Sequence, residues 1–162
     1  MKYLTIVWQR LVDETGQTCD RCGTTYEEIQ KAVELLKKAL SLLAIDVTFE
    51  QREIDQTAFA NDPSQSNRIW ISGRPLEEWL GAQVGQSLCG DICGDDECRT
   101  IEVDTKVYES IPADFIIKAG LIAASQLYGD IPSDKYSQKD KAVQSNINNC
   151  CCCPESGSDN CC

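Results

Sequence analysis

The order of hydrophobic patterns near the N-terminus restricts this chain to an α/β fold. Residues 3–8 are rich in β-branched and aromatic side chains and alternate with a period of two, which is typical of a β-strand. Residues 25–43 carry apolar side chains at helical spacing, and residues 45–50 alternate again. A strand, a helix and a second strand predict a parallel pair that is joined by a right-handed crossover.

The first helix is expected to begin at Thr25. Thr25 and Glu28 have the spacing of a capping box, which is a signature of a helix N-terminus. Cys22 would then lie about three residues before the helix, where the helix dipole has little effect on its thiol.

Further strands and a second long helix follow. Residues 55–66 indicate a short helical turn and a loop, and a short helix with Pro75 in its first turn precedes a glycine- and cysteine-rich loop. Strands are predicted at residues 68–71, 100–103 and 107–110, and a helix runs from Pro112 to about Tyr128. This order matches the minimal thioredoxin arrangement. We therefore predict a thioredoxin-like α/β sandwich with a mixed sheet over residues 1–130.

The composition changes after this domain. Residues 131–162 consist mainly of Ser, Asp, Asn, Gln and Lys, which cannot bury enough apolar surface to fold alone. We expect a flexible, disordered tail. It ends in two groups of adjacent cysteines, namely Cys150, Cys151, Cys152, Cys153, Cys161 and Cys162.

The charge balance excludes several classes of partner. The chain has 15 Lys and Arg against 26 Asp and Glu, a net charge of -11, and this repels nucleic acids and anionic membranes. We see no secretory signal, and the apolar stretch at residues 115–124 is too short to span a bilayer. A cytoplasmic protein without an organic cofactor is expected.

The eleven cysteines and the absence of histidine direct attention to thiol chemistry. Residues 23–88 contain no cysteine although they have the pattern of a packed fold, which argues against a disulfide framework. In a reducing cytosol such cysteines are more often catalytic, redox-sensing or metal-binding. A metal site would have to use thiolates, which prefer soft ions such as zinc, copper(I), mercury or arsenite.

The pair Cys19 and Cys22 allows two interpretations. Between a strand and a helix, this spacing is typical of a redox motif in which Cys19 attacks a disulfide and Cys22 resolves it, with Arg21 helping to stabilise the thiolate. The same spacing is typical of half a zinc site. Both interpretations stay open on the sequence alone.

The other cysteines can extend either interpretation. Cys89, Cys93 and Cys98 lie in a glycine-rich segment that could surround a metal or relay a disulfide. Together with Cys19 and Cys22 they could supply four thiolates with one cysteine spare. The six tail cysteines are expected to capture soft metals or metalloids, because adjacent cysteines rarely pair with each other.

Three segments together resemble a known family. They are WQRLV with TCDRCG (8–12 and 18–23), SNRIWI with GRPLE (66–71 and 73–77), and CG with ECRT (93–94 and 97–100). The combination resembles an uncharacterised prokaryotic thioredoxin-like family, a domain of unknown function (DUF2703). The resemblance covers roughly residues 1–128 and implies a thioredoxin-like fold, but no established activity.

One departure from thioredoxins bears on the function. Thioredoxins place a cis-proline before the third strand, opposite the redox pair, where Asn67 and Arg68 stand here. Since that proline hinders metal capture, its absence favours binding of a soft metal or metalloid ion. The alternative is a thiol-disulfide oxidoreductase that uses Cys19 and Cys22 on a protein dithiol or disulfide partner.

Overall fold

The computed structural model describes residues 1–128. Over this range the chain is an α/β protein with two β-sheets and four α-helices. The predicted tail at residues 131–162, with its six cysteines, lies outside the described residues.

The first sheet is mixed, as predicted. It contains β1 (Lys2–Leu11), β2 (Ile45–Ile54), β3 (Arg68–Ile71) and β4 (Arg74–Pro75) in the order β2-β1-β3-β4. The long strands β1 and β2 are parallel, whereas β3 is antiparallel to β1 and to the short β4. Leu4, Ile6 and Trp8 of β1 are fully or almost fully buried, so this strand is the centre of the hydrophobic core.

The second sheet differs from the sequence prediction. It consists of β5 (Gln83–Leu88), β6 (Glu97–Val103) and β7 (Lys106–Tyr108), all antiparallel. The predicted pair at residues 100–110 therefore forms a hairpin, but it joins β5 instead of the first sheet. Asp104 and Thr105 form the turn with positive φ angles of 49° and 67°, which suit the right-handed twist of a hairpin.

Strand β5 was expected to be a loop, and this was wrong. Its sequence QVGQSL has few β-branched residues and a glycine, so its local preference for a strand is weak. Gly85 is needed at its position, because a Cβ there would lie 2.9 Å from Oγ1 of Thr100 on the neighbouring strand. Pairing with β6 along the whole strand outweighs the weak local preference.

Four α-helices alternate with the strands along the chain and contribute to the hydrophobic core. They are α1 (Asp20–Ser41), α2 (Gln56–Asn61), α3 (Leu76–Leu80) and α4 (Ala113–Gln126). Helix α1 buries the apolar face that its spacing predicted, including Ile29, Val33, Leu36 and Leu40. None of the helices in residues 1–128 is both long and apolar enough to cross a membrane.

The predicted start of α1 was wrong by about one and a half turns. The helix begins at Asp20, and Cys19 is its N-cap residue with extended backbone angles. Cys22 therefore lies in the first turn, where the positive end of the helix dipole is close.

The residues that predicted the start of α1 instead stabilise the start of α4. Thr25 is fully buried, and its Oγ1 accepts a hydrogen bond from the Ile111 backbone N–H at 3.0 Å. Glu28 Oε2 accepts one from the Ala113 backbone N–H at 2.9 Å. These N–H groups have no partner within α4, whose N-cap residue Pro112 cannot supply a side-chain cap. Thr25 and Glu28 belong to α1 and thus cap a different helix, α4.

Candidate metal centre

Four cysteine sulfurs lie together beside the N-terminus of α1. The Sγ atoms of Cys19, Cys89, Cys93 and Cys98 all lie within 4.8 Å of one another. A tetrahedral zinc site with Zn–S bonds of about 2.3 Å has sulfur–sulfur edges of about 3.8 Å. The cluster therefore has nearly the size of a tetrahedral thiolate site, and it could hold a metal ion.

Each of the four cysteines comes from a different local structure. Cys19 caps α1, Cys89 directly follows β5, Cys93 ends a short 3-10 turn, and Cys98 is the second residue of β6. Antiparallel pairing of β5 and β6 brings the last three back to one end of the second sheet.

Two glycines let the chain fold back between these cysteines. Gly90 and Gly94 flank the 3-10 turn and have positive φ angles of 71° and 61°. Residues with a side chain adopt such angles only with strain, whereas glycine does so readily. The glycines that alternate with cysteines in the sequence therefore have a conformational role.

The cluster is closed on most sides. Cys19, Cys93 and Cys98 are 2%, 1% and 3% exposed, while Cys89 is partly exposed. An ion held here would be shielded from water on three of its four ligands. Exchange with solvent or with another molecule would have to occur at Cys89.

The sulfur atoms interact strongly with one another. All five described cysteines are free, and the Sγ atoms of Cys93 and Cys98 lie 2.7 Å apart. Thiol hydrogen bonds from Cys22, Cys93 and Cys98 hold the pKa of Cys19 far below its usual value. The same hydrogen bonds to Cys19 raise the pKa of Cys93 and of Cys98. Without an ion, one thiolate is thus surrounded by donors, and a cation would take the place of their protons.

Cys22 is next to this cluster but is not one of its four members. It is 1% exposed, and its Sγ lies 3.8 Å from the hydroxyl oxygen of Ser66. A hydrogen bond to Cys19, followed by burial, raises the pKa of the Cys22 thiol. The two cysteines of this sequence motif are therefore divided, with Cys19 in the cluster and Cys22 outside it.

The segment before β3 faces Cys22 with a hydroxyl group instead of a proline. Ser66 and Asn67 are both buried, and Asn67 has a positive φ of 54°. The Asn67 amide accepts a hydrogen bond from the Trp8 indole at 3.2 Å and donates one to the Glu109 carbonyl oxygen at 3.3 Å. No cis peptide bond occurs in residues 1–128.

Arg21 contacts β5 and Glu109, and its expected help in stabilising the thiolate stays a prediction. Its guanidinium donates to the Ser87 carbonyl at 3.3 Å and hydroxyl at 2.9 Å, and also to the Leu88 carbonyl. It also forms an ion pair of 2.8 Å with Glu109. Arg21 thus attaches the end of β5 to the start of α1, one residue before Cys89. Sequence reasoning could not find this contact, because 66 residues separate Arg21 from Ser87.

A cluster of buried charges supports β6 beside Cys98. Arg99 is 4% exposed, forms an ion pair with Glu77 of α3, and donates to the Ser64 carbonyl at 3.0 Å. Arg68 of β3 lies 3.9 Å from the same Glu77 carboxylate. These charges connect β3, α3 and β6, and Cys98 is adjacent to Arg99 in the chain.

The fold and this cluster define the class of the protein: an α/β protein with a group of four cysteines that could hold a metal ion. A model of the family described as Domain of unknown function (DUF2703) matches residues 4–120. A relative from Archaeoglobus fulgidus, named "Uncharacterized protein", is 48% identical over 113 residues, which are 70% of this chain and 82% of the relative. No solved structure matches.

The chain therefore belongs to the DUF2703 family, and this confirms the membership that the three sequence motifs predicted. The matched region includes all five cysteines of residues 1–128 and none of the tail cysteines. The involvement of the tail cysteines in metal capture stays a prediction.

Proposed function

We propose that this protein binds and handles a soft metal or metalloid ion through Cys19, Cys89, Cys93 and Cys98. The observation that carries the proposal is the meeting of four sulfur atoms within 4.8 Å, from segments far apart in the sequence. Four thiolates without histidine or carboxylate favour zinc and softer ions over magnesium, calcium or manganese. The proposal includes a thioredoxin-like fold, supported by the strand order β2-β1-β3-β4, and a cytoplasmic location.

Electrostatics supports a bound cation. Two thiolates 4.8 Å apart repel each other by about 3 kcal/mol at an effective dielectric constant of 20. Several thiolates in one largely buried place are therefore stable only when a cation neutralises them. Four protein ligands leave no open position, which is typical of ion storage or a structural site rather than metal catalysis.

Element analysis of anaerobically purified protein tests the proposal. The full-length chain is used with its six tail cysteines replaced by serine, so that only the five cysteines of residues 1–128 can bind. We expect one zinc ion per chain, lost in both Cys19→Ser and Cys98→Ser. Cys22→Ser is the matched control, because this thiol is equally buried but outside the cluster, and it should keep the ion.

Two results would contradict the proposal. One is a folded protein that binds neither zinc nor a softer thiophilic ion when these are added under reducing conditions. The other is equal loss of the ion in Cys22→Ser and Cys98→Ser, which would assign binding to a different set of sulfurs. Circular dichroism of each variant separates loss of the ion from loss of the fold.

A thiol-disulfide oxidoreductase is the second candidate. It is favoured by the position of Cys19 and Cys22 at the start of α1, where free N–H groups and the helix dipole stabilise a thiolate. Cys19 would attack a partner disulfide and Cys22 would resolve the mixed disulfide. Burial of both thiols opposes attack on a large protein substrate. Reduction of a protein disulfide by the wild type, but not by Cys19→Ser, would establish this activity.

A further inference from the structure

Cys19 is shared between the four-cysteine cluster and a fifth thiol. Cys19 is the N-cap residue of α1 and Cys22 is the third residue of the same helix, so both thiols lie at the helix N-terminus. Cys22 would remain a free thiol when the other four sulfurs hold an ion. Since Cys22 is not in the group of four, Cys19 would be a metal ligand next to a thiol that binds no metal.

We propose that Cys22 is a resolving thiol that forms a disulfide with Cys19 when the protein meets a small-molecule disulfide, and that this reaction expels the ion. The inference rests on the proposed metal site. Loss of Cys19 leaves three thiolates, which hold a tetrahedral ion less tightly than four. Thiol oxidation would thus be converted into metal release.

The oxidant reaches the cluster at Cys89, which is the only partly exposed cysteine of the five described. The Cys89 thiolate attacks the small disulfide, forms a mixed disulfide and releases one thiolate. The Cys19 thiolate then attacks the Cys89 sulfur, forms a Cys19–Cys89 disulfide and releases the second small thiolate. The released small thiolates can reopen this disulfide, so release becomes lasting only when the Cys22 thiolate attacks Cys19 and returns Cys89 as a thiolate.

The electrons and protons of these steps balance. Two protein thiol groups, those of Cys19 and Cys22, lose two electrons in total. The one small-molecule disulfide gains them and becomes one thiol and one thiolate, because Cys22 supplies one proton and Cys19, a ligand thiolate, supplies none. A reducing dithiol reverses the reaction and restores the four-thiolate site.

The surroundings of Cys22 fit a resolving thiol. Ser66 Oγ lies 3.8 Å from its sulfur, so this buried thiol has a polar neighbour that is not a ligand of the ion. Cys93 and Cys98 are also close, at 2.7 Å, but both would be ligands of the ion. A Cys93–Cys98 disulfide would remove two ligands from the product, whereas the Cys19–Cys22 disulfide removes only Cys19 and returns Cys89.

The experiment uses the full-length protein with serine in place of the six tail cysteines, loaded with zinc. Oxidised glutathione is added anaerobically, zinc release is followed with a colorimetric chelator, and the disulfides are mapped by mass spectrometry of peptides. We expect one zinc released per chain, together with a Cys19–Cys22 disulfide. Cys22→Ser and Cys22→Ala should bind zinc normally when reduced. After addition of oxidised glutathione they should release zinc at least about ten-fold more slowly than the parent protein.

The outcomes separate this inference from the proposed function. Absence of zinc in the reduced protein would overturn the metal site itself. Normal zinc binding with release that does not depend on Cys22, or a mapped Cys93–Cys98 disulfide, would overturn only the role of Cys22. If both Cys22 variants fail to fold, the disulfide mapped in the parent protein decides the question.

Discussion

The four-cysteine cluster and the charge cluster of Arg68, Glu77 and Arg99 are built in similar ways but differ in the charges that they contain. Both join residues from several elements and both are largely buried. The charge cluster contains two guanidinium groups and one carboxylate, so part of its charge is compensated within the cluster. The cysteine cluster contains only groups that become negative, so it needs protons or a cation. The comparison separates a structural ion-pair site from a site that fits a ligand.

The largest effect is expected in the charge cluster. Glu77→Ala leaves Arg99 and Arg68 without their carboxylate, and removal of one partner from a buried pair costs about 3–5 kcal/mol of stability. The measurement is urea unfolding followed by circular dichroism. Glu78→Ala is the matched control, because its ion pair with Arg74 is exposed and should contribute less than about 1 kcal/mol. Equal effects would show that Glu77 is not a structural centre.

Removal of the ion should destabilise the protein by a similar amount. A ligand that binds only the folded state at 1,000 times its dissociation constant contributes about 4 kcal/mol. We therefore expect a chelator to shift the urea transition of the zinc-loaded protein to lower concentration. Cys98→Ser should abolish this difference and Cys22→Ser should retain it. A chelator effect that persists in Cys98→Ser would place the ion elsewhere.

Arg21 connects the start of α1, which carries Cys19, to the end of β5, which precedes Cys89. Its loss should weaken ion binding by an intermediate amount. Hydrogen bonds to a charged group contribute about 1.5–3 kcal/mol, so Arg21→Ala should weaken zinc binding about ten-fold or more. The thiolate absorption of bound cobalt(II) should also decrease, because Cys89 loses its anchor. Arg10→Ala, which removes an ion pair with Glu53 between β1 and β2, is the control. Unchanged cobalt spectra would contradict a positioning role for Arg21.

The smallest effect concerns Glu28, which stabilises the start of α4. Glu28→Gln keeps an acceptor oxygen but removes the negative charge from the start of α4, which should cost about 0.3–1 kcal/mol at neutral pH. Hydrogen bonds from Lys31 and from the Ala113 N–H lower the pKa of Glu28 below 4.5. The stabilisation is therefore present above that pH and is lost as the pH falls through the lowered pKa. The difference between wild type and variant in urea unfolding should disappear in acid, and a pH-independent difference would contradict this role.

Residues with strong local patterns were predicted well. The alternation in residues 3–8 and 45–50, the helical spacing from Ile29 onward and the strand at 68–71 all correspond to observed elements. Strand β5 could not be predicted, because its stability comes from pairing with β6 instead of from its own residues. Thr25 and Glu28 were assigned to the wrong helix, since a capping pattern does not identify the helix whose N–H groups it satisfies.

The kinds of metal ligand that the chain offers and its family were determined by the sequence alone. Eleven cysteines without histidine restrict any metal site in this chain to sulfur and oxygen ligands, whatever its fold. Motifs spread over residues 8–100 were enough to recognise the family. These conclusions depend on residue types and short spacings, which folding does not change.

Only the tertiary structure decided which sulfurs meet. Cys19 and Cys22 are neighbours in sequence, yet Cys19 joins Cys89, Cys93 and Cys98 while Cys22 turns toward Ser66. That division depends on the start of α1 at Asp20 and on the pairing of β5 with β6, and Arg21 links the two. Contacts across more than sixty residues are set by packing and strand register, and a local pattern carries no information about them.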